Sequence, residues 1–297
     1  MTEPKQAAAD TTVALDIGGS KTHGILIRNG TPCAEATVGS ANIQNVTPAT
    51  AAANLTELFR ALPCDDVSKV VAGAGGVDTE TDRKALQQLI RPLAPRAAIT
   101  VVHDSELILA AGGETCGIAV IAGTGSAAWG RNLRREEARS GGWGYLLGDE
   151  GSGYWLGREA VRHSLRRMNE GRAADPLTKH LLQSCGLSSP SELIARFHSP
   201  ATGRHYWARQ ARAVVEAADQ GHRESAQLIE RAGQELASLT LLVARRLNLI
   251  GPVILGGGLG MNVPRIQEAF TGALAEAGIN DVRILNRPPV YGAVRLL

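Results

Sequence analysis

Short apolar runs and glycine-rich turns alternate at the start of the chain. A β-prone run at 12–15 leads into the turn Asp16–Thr22, and a second β-prone run follows at 23–28. Strand, glycine-rich turn and strand in succession are typical of a β-hairpin. The run 33–38 extends this pattern, so the sequence predicts a three-stranded meander.

The pattern then changes to helices that alternate with single strands. Thr47 is a plausible helix N-cap and Pro48 a favourable first position, which predicts a helix to Leu62. The strands and helices expected next are, in order, 67–72, 81–90, 98–102 and 106–111. A meander followed by alternating strands and helices indicates an α/β layer with a mixed sheet.

The hairpin pattern is repeated in the middle of the chain. A strand at 117–122 enters the turn Gly123–Ser126, and a strand at 127–131 leaves it. This weak internal repeat indicates duplicated domains. The remaining expected helices are 154–168, 176–183, 190–197, 206–218, 222–249, one from 261 or 262 to 277, and a short one at 288–294, with strands at 252–255 and 282–285.

The composition limits the function classes. Hydrophobic residues make up 44% and charged residues 20% of the 297 residues, as is ordinary for a globular protein. The net charge of +2 predicts neither a nucleic-acid nor a membrane partner, and no apolar run is long enough for a membrane span. Four cysteines without CxxC spacing indicate a reduced, cytoplasmic protein. The helical segments contain four histidines without metal-ligand spacing, which we expect to be structural or on the surface: His163, His198, His205 and His222.

The first turn combines groups that suit a phosphate. It contains a carboxylate, two glycines and two hydroxyls. Exposed N–H groups beside hydroxyls suit phosphate oxygens, and Asp16 is suited to hold Mg²⁺ directly or through water. The turn is not a Walker A loop, because the GxxxxGK[ST] spacing is absent and no helix follows. The alternative is an ordinary tight hairpin in which Asp16 serves turn geometry, and this motif alone does not distinguish the two.

The second turn strengthens the phosphate interpretation. Two such turns that face each other would clamp a triphosphate from both sides. The triple glycine Gly256–Gly258 separates a predicted strand from a predicted helix. There a flat ligand can lie against bare backbone near a helix N-terminus.

Asp104 follows the strand 98–102 and precedes a helix. Ligands of open α/β sheets bind at the carboxyl ends of the strands. Aspartate is also a favoured helix N-cap, and position alone favours the cap.

The segment 141–155 has an unusual composition. It holds six glycines, two tryptophans, two tyrosines and the acid pair Asp149 and Glu150. Glycine at this density places backbone in unusual conformations or close to a ligand. The segment therefore predicts a loop that holds a polar ligand and then caps a helix, with Glu150–Ser152 at the start of that helix.

Together these motifs resemble the BadF/BadG/BcrA/BcrD ATPase family, within the actin-like, hexokinase-type superfamily. The GGWG and GDEGS segments of 141–155 carry a narrower similarity to the N-acetylglucosamine kinases of this family. The resemblance implies an α/β fold of two RNase-H-like (actin-like ATPase) domains around an interdomain cleft. It implies ATP-dependent phosphorylation of N-acetylglucosamine at its 6-hydroxyl, with ATP and Mg²⁺. A homodimer is common among such relatives.

The implied domain organisation has three parts. Residues 1–11 are Ala-rich and polar without the apolar segment of a signal peptide, so we expect them to be disordered. Residues 12–112 form the first domain, and a C-terminal segment of about 287–297 packs back onto it. Residues 113–286 form the second domain, which carries a helical insertion.

The resemblance also assigns roles to residues. Asp104 becomes the general base on the sugar hydroxyl, and Asp16 the residue that holds Mg²⁺. The implied sugar-binding residues are Asn42, Asp104, Thr124, Gly142, Trp143, Asp149 and Gly153. The implied nucleotide-binding residues are Gly18, Gly19, Ser20, Lys21, Thr22, Gly123, Thr124, Gly125, Ser126, Gly256, Gly257 and Gly258.

Three alternatives stay open. Glucosamine kinases belong to the same group, and some carry a loop similar to Gly39–Asn42; muramic-acid derivatives and glucose are further substrates. An ATP-driven activator of 2-hydroxyacyl-CoA dehydratases would need paired cysteines for an iron–sulfur cluster, and Cys116 and Cys185 lie outside that pattern. The third alternative is a non-catalytic sugar sensor. The presence of Asp16 and Asp104 argues against it, because both are expected catalytic groups.

Overall fold

The computed structural model of the protein describes residues 10–64, 66–77 and 79–296. These residues form two units: a first unit of 10–115 with 287–296, and a second unit of 116–286. The sequence predicts disorder for residues 1–11. Residues 1–9 of that segment lie outside the described residues. Thr11 begins a strand, so the expectation is wrong for that residue.

A mixed sheet forms the centre of the first unit. Its strands are β1 Thr11–Ile17, β2 Lys21–Arg28, β3 Thr31–Gly39, β4 Lys69–Ala74 and β5 Ala98–His103. The strand order is β3-β2-β1-β4-β5. The antiparallel β1–β2–β3 meander is the one that the sequence predicts, and β4 and β5 run parallel to β1.

Different helices cover the two faces of this sheet. The helices are α1 Pro48–Ala61, α2 Glu80–Ile90, α3 Asp104–Ala111 and a C-terminal 3₁₀ helix Pro289–Arg295. Side chains alternate between the faces of a strand. Accordingly Val13 and Leu15 of β1 pack with α1 and α2, whereas Ala14 packs with α3 and the 3₁₀ helix. The C-terminal helix thereby completes a core that begins with the first strand.

The second unit repeats the same sheet. Its strands are β6 Gly117–Ala122, β7 Ser126–Arg131, β8 Glu137–Gly141, β9 Val253–Gly256 and β10 Val282–Ile284. The order β10-β9-β6-β7-β8 matches that of the first sheet strand for strand, with β6 in the place of β1. Again the first three strands are antiparallel and the other two are parallel to β6. The predicted α/β class and the duplication are confirmed.

Strand β8 is missing from the sequence prediction. Only Ala138 of this strand is a buried apolar side chain, and the strand lies at the edge of the sheet. Edge strands are commonly short and charged. An apolar alternation was therefore not available to indicate it.

The helices of the second unit differ from the prediction at two breaks. They are α4 Gly153–Asn169, α5 Pro176–Cys185, α6 Glu192–His198, α7 Arg204–Arg209, α8 Ala211–Asp219, α9 Arg223–Leu247, α10 Gly258–Asn262 and α11 Pro264–Glu276. The expected single helix 206–218 is wrong, because the chain turns at Gln210. The helix expected from 261 or 262 to 277 is present as α11 but starts later, at Pro264, because proline lacks the N–H that would continue α10. No helix among the described residues is long and apolar enough to cross a membrane.

Packing explains the first break. Trp207 is 1% exposed, and its carbonyl oxygen lies 2.0 Å from where a Cβ at Gly157 would be. This close approach of α7 to α4 depends on a glycine that is distant in sequence. Trp207 is therefore a core residue of the second unit.

Candidate functional site

Two carboxylates lie at the carboxyl ends of the parallel strands in the first unit. Asp16 is the penultimate residue of β1, in register with Gly73 of β4 and His23 of β2. Asp104 directly follows β5 as the first residue of α3. The fold therefore places both residues at the edge where open α/β sheets bind ligands.

The ionised form of the Asp16 side chain is destabilised in this position. Burial raises its pKa to about 7, the negative charge of Asp104 adds to the rise, and Lys21 opposes it. A divalent cation would offset both the burial and the repulsion. Carboxylate oxygens are the ligands that Mg²⁺ prefers. The residues present therefore fit the Mg²⁺ site that the sequence resemblance implies.

Asp104 is not the cap of α3. The N-cap is His103, whose Nδ1 accepts the Ser105 N–H at 3.3 Å, while Glu106 accepts the His103 N–H at 3.3 Å. The interpretation of Asp104 as a cap is therefore wrong. Its Oδ1 lies 3.0 Å from His103 Nδ1, yet it is buried and makes no hydrogen bond of acceptable geometry to a described residue. The Asp104 side chain as a whole is 22% exposed, so the remainder of the carboxylate is accessible to a ligand that donates a hydrogen bond.

Asn42 and Gly75 shape the surroundings of this carboxylate. The Asn42 Nδ2 donates to the Gly75 carbonyl at 3.0 Å, and the Asn42 Oδ1 accepts the Gln44 N–H at 2.9 Å. A Cβ at position 75 would lie 3.0 Å from Asp104 Oδ2 and 3.6 Å from Asn42 Nδ2. Gly75 thus allows two expected site residues to come together. The sequence did not single out Gly75 as a site residue, although its position shortly after a predicted strand could have indicated it.

The first glycine-rich turn is tied to the loop that carries Asn42. The Gly18 N–H donates to the Lys21 carbonyl at 3.0 Å, and Ser40 Oγ donates to the Gly18 carbonyl at 2.8 Å. Thr22 is fully buried, and its Oγ1 accepts the Ala41 N–H at 2.9 Å. Thr22 therefore holds the neighbouring loop. The accessible members of the expected nucleotide set in this turn are Gly18, Gly19, Ser20 and Lys21.

The second glycine-rich turn joins β6 to β7 and is held by the start of α4. The Gly153 N–H donates to the Gly123 carbonyl at 2.8 Å, and the Tyr154 N–H donates to the Thr124 carbonyl at 3.2 Å. A Cβ at position 153 would lie 3.0 Å from the Ala208 carbonyl oxygen and 3.1 Å from that of Gly123. Backbone on both sides therefore favours glycine at this position.

Asp149 faces the same turn. The residue is 4% exposed, and its Oδ1 accepts the Ser126 N–H at 3.2 Å. A Cβ at Gly125 would lie 2.8 Å from that oxygen. Burial raises the pKa of Asp149, whereas the Ser126 N–H and the charge of Arg204 oppose the rise. Its φ of 62° lies in the left-handed region, a strained conformation that is concentrated at ligand sites.

Helix α4 starts at Gly153, one residue before the run expected from 154 and after the segment Glu150–Ser152 that was also expected to start it. Its N-cap is Ser152, whose Oγ accepts the Trp155 N–H at 3.1 Å. Glu150 lies before the helix, and its carbonyl accepts the Ser126 hydroxyl at 2.6 Å. The expectation that the helix starts with Glu150 is therefore wrong, and this residue instead anchors the turn.

Arg139 fixes the loop that carries Gly142 and Trp143. Its Nη2 donates to the Gly142 carbonyl at 2.7 Å, and its guanidinium carbon lies 5.8 Å from the centre of a Trp143 ring. The Gly142 N–H donates to the Ser126 carbonyl at 3.0 Å. Trp143 is 67% exposed, so a face of its indole is available to a ligand. No sequence signal singled out Arg139.

The triple glycine lies beside the second turn. Gly256 ends β9, and a Cβ at Gly257 would lie 2.5 Å from the Ala122 carbonyl oxygen. Gly257 also has a φ of 88°, so only glycine suits this position. A Cβ at Gly258 would meet no described atom within 4 Å, and the Gly258 nitrogen lies 4.0 Å from where a Cβ at Gly123 would be. The exposed backbone at Gly258 therefore lies next to the turn Gly123–Ser126.

Comparison with known proteins is consistent with these motifs. The family model described as the BadF/BadG/BcrA/BcrD ATPase family matches residues 13–295. The N-acetylmuramic acid/N-acetylglucosamine kinase of Clostridium acetobutylicum is 30% identical over 269 residues, which cover 87% of this chain and 88% of that protein. The N-acetyl-D-glucosamine kinase of Dictyostelium discoideum is 29% identical over 255 residues, or 80% of each chain.

A solved structure supports the same relationship. A protein from Chromobacterium violaceum, provisionally named an N-acetylglucosamine kinase, has a TM-score of 0.74 at 25% identity. The match covers 97% of this chain and 98% of that one. The resemblance noted from the sequence motifs is confirmed, and the chain belongs to the BadF/BadG/BcrA/BcrD ATPase family.

Proposed function

We propose that the protein transfers the γ-phosphoryl group of ATP to the 6-hydroxyl of N-acetylglucosamine. The observation that carries this proposal is the position of Asp104, a partly exposed carboxylate at the carboxyl end of β5, beside Asn42 and Gly75. Two similar proteins are kinases named for N-acetylglucosamine. These names favour the acetylated sugar over glucosamine, and a sugar kinase over a dehydratase activator.

Asp104 acts as the general base. In phosphoryl transfer the protein mainly positions the reactants and stabilises charge, so the base accepts the hydroxyl proton late, once the attacking oxygen has become acidic. The first turn of a helix favours a carboxylate in its ionised form. Asn42 and Gly75 set where this carboxylate lies.

Asp16 is the residue that would hold Mg²⁺, which when bound neutralises negative charge on the phosphates. The N–H groups of the turns Gly18–Ser20 and Gly123–Gly125 suit phosphate oxygens. Lys21 is exposed beside the first turn and adds positive charge. The open backbone at Gly258 suits the flat face of adenosine.

The second unit contains groups that suit a sugar. Asp149 is suited to accept hydrogen bonds from sugar hydroxyls, in addition to the one from the Ser126 N–H. Trp143 has an exposed apolar face that suits a pyranose ring, and Arg139 contacts both the indole and the Gly142 carbonyl. The Gly153 and Tyr154 N–H groups hold the carbonyls of Gly123 and Thr124 in the turn.

A coupled ADP-release assay tests the function. We expect turnover with N-acetylglucosamine that exceeds turnover with glucosamine and glucose, and none with 6-deoxy-N-acetylglucosamine. N-acetylmuramic acid belongs in the panel, because one relative is named for both sugars. Absence of turnover with every amino sugar would reject the proposal.

Gly75→Ala is expected to lower kcat/KM for the sugar by about 10- to 100-fold. The new methyl group would press on Asp104 Oδ2, and small displacements of a catalytic group have effects of this size. Steady-state kinetics measure the loss. Gly272→Ala is the matched control, since a Cβ there meets no described atom within 4 Å. Equal kinetics in the two variants would contradict the role of Gly75.

Trp143→Ala is expected to raise the sugar KM by about 10-fold while kcat and the KM for ATP stay near those of the parent protein. The reason is loss of an apolar face against the sugar, with the backbone of the loop still held by Arg139. Leu147→Ala, 82% exposed in the same loop, controls for a general loss of apolar surface. An unchanged sugar KM in Trp143→Ala would show that the indole only shapes the loop.

A further inference from the structure

Three polar side chains from three helices meet in the second unit. His163 lies in α4, Asp175 is the N-cap of α5, and His222 is the N-cap of α9. The Asp175 Oδ2 lies 2.7 Å from His163 Nε2 and 3.1 Å from His222 Nε2. The three side chains are 8–17% exposed. His163 is about 15 Å of helix from Gly153, so this cluster is distinct from the candidate sugar site.

We propose that this cluster binds a divalent transition-metal ion, and that Zn²⁺ fits its donor set. Imidazole nitrogen and carboxylate oxygen are ordinary zinc ligands, and bonds of about 2.0 Å in a tetrahedron place ligand atoms about 3.3 Å apart. The two nitrogen–oxygen distances, 2.7 and 3.1 Å, are shorter than that separation, so the side chains must move apart by a few tenths of an ångström to admit the ion. The ligand atoms of His163, Asp175 and His222 all lie within 4.8 Å of one another.

Neighbouring groups hold the ligands in the required orientation. Ser225 Oγ lies 2.9 Å from His222 Nδ1, so the opposite ring nitrogen faces the cluster. The Thr178 N–H donates to Asp175 Oδ1 at 2.9 Å, which leaves Oδ2 directed at the histidines. Hydrogen bonds of this kind orient the ligands in metal sites. Glu224, which is 48% exposed, also lies near the cluster, with its Oε2 3.2 Å from His222 Nε2.

Arg167 takes part in an alternative, metal-free arrangement of the cluster. Its Nε lies 3.2 Å from Asp175 Oδ2, and its Nη2 donates to the Ala173 carbonyl at 2.8 Å. Without a metal, protons on both Nε2 atoms and the guanidinium would share one carboxylate oxygen. With a metal, both Nε2 atoms donate lone pairs to the ion, so each neutral ring carries its proton on Nδ1, while Arg167 keeps its bond to Ala173. The two arrangements differ in metal stoichiometry and in the tautomer of both rings.

The proposed ion would connect the middle of α4 to the starts of α5 and α9. The sequence did not indicate it, because the histidines are widely separated along the chain and neither has a ligand at motif spacing. Only the packing of the helices brings them together. Both histidines have hydrogen-bond or ion-pair partners, as expected of structural residues, and the proposal adds a metal-binding role to them.

Zinc titration of tag-free, EDTA-treated protein against a competing metallochromic chelator tests the proposal. We expect one equivalent of Zn²⁺ per chain with a Kd below about 1 µM. His163→Gln and Asp175→Asn should each weaken binding by about 100-fold or more. His198→Gln, an exposed histidine in α6, should bind as the parent protein does. Absence of stoichiometric zinc in the parent protein, or equal binding by Asp175→Asn, would overturn the site.

One measurement on the parent protein avoids dependence on variants that fail to fold. Zn²⁺ at about 100-fold over its Kd should raise Tm by on the order of 5 °C. Zinc binding that leaves Tm unchanged would mean that folded and unfolded chains bind the ion equally, and would reject a site that only the packed helices form.

Discussion

Asp104→Asn is expected to lower kcat with N-acetylglucosamine by about 10²- to 10⁴-fold, or about 3–5 kcal/mol in the barrier. Asparagine has nearly the same shape but does not accept the hydroxyl proton. The cap of α3 by His103 and the Asn42–Gly75 hydrogen bond do not use the Asp104 side chain, so the local structure should persist. Steady-state kinetics give kcat, and calorimetry should show that ATP and sugar still bind.

The matched control is Glu80→Gln. Glu80 also lies in the first turn of a helix in the first unit, where its exposed carboxylate is 3.8 Å from Lys84 Nζ. This change removes a first-turn carboxylate whose ion pair is with Lys84 and not with a candidate site residue, so kcat should stay near that of the parent protein. Near-normal turnover in Asp104→Asn would reject the assignment of the base. Equal losses in both variants would indicate a general structural effect.

Asp16→Asn is expected to stabilise the ligand-free protein at pH 8 while it removes most of the kinase activity. The pKa of Asp16 is raised to about 7, mainly by burial and then by Asp104. The folded state therefore holds this proton more tightly than the unfolded chain, for which the carboxyl pKa is 3.8. As pH rises from about 4 to about 7, the unfolded chain releases the proton first, and stability is lost. Asparagine resembles the protonated carboxyl at every pH.

The free energy of unfolding, measured by urea titration between pH 5 and pH 8, tests whether the stability of the parent protein falls as pH rises. The advantage of Asp16→Asn over the parent protein should grow by about 2–3 kcal/mol across that range. Mg²⁺ with ATP should stabilise the parent protein and have a smaller effect on the variant, because the carboxylate that would hold the ion is gone. Parallel pH curves for the two proteins would contradict the raised pKa of Asp16.

Local patterns were enough to predict most strands and helices. The alternation of Val13, Ala14 and Leu15 indicates a strand, and Thr47 before Pro48 indicates the start of α1, where Thr47 Oγ1 indeed accepts the Thr50 N–H at 3.2 Å. The similarity of the two glycine-rich hairpins predicted the duplication that the matching strand orders confirm. Such signals lie within a few residues of each other, so the sequence displays them directly.

Elements that depend on distant partners were missed. Strand β8 has a single buried apolar residue, Ala138, and forms because β7 offers an edge for pairing. The end of α7 follows from the approach of Trp207 to Gly157 on another helix. The contact between α7 and Gly157 joins residues that are far apart in the sequence. Local propensity alone favoured a single helix at 206–218, which is wrong.

The sequence by itself determined the types of group at the candidate site. It located the two glycine-rich turns, the triple glycine, and the carboxylates Asp16, Asp104 and Asp149, because each belongs to a local motif. Their chemical states were decided only by the tertiary structure. Burial and the charge of Asp104 raise the pKa of Asp16, and packing brings His163, Asp175 and His222 together. Desolvation and electrostatic repulsion depend on distance in space, which spacing along the chain does not reveal.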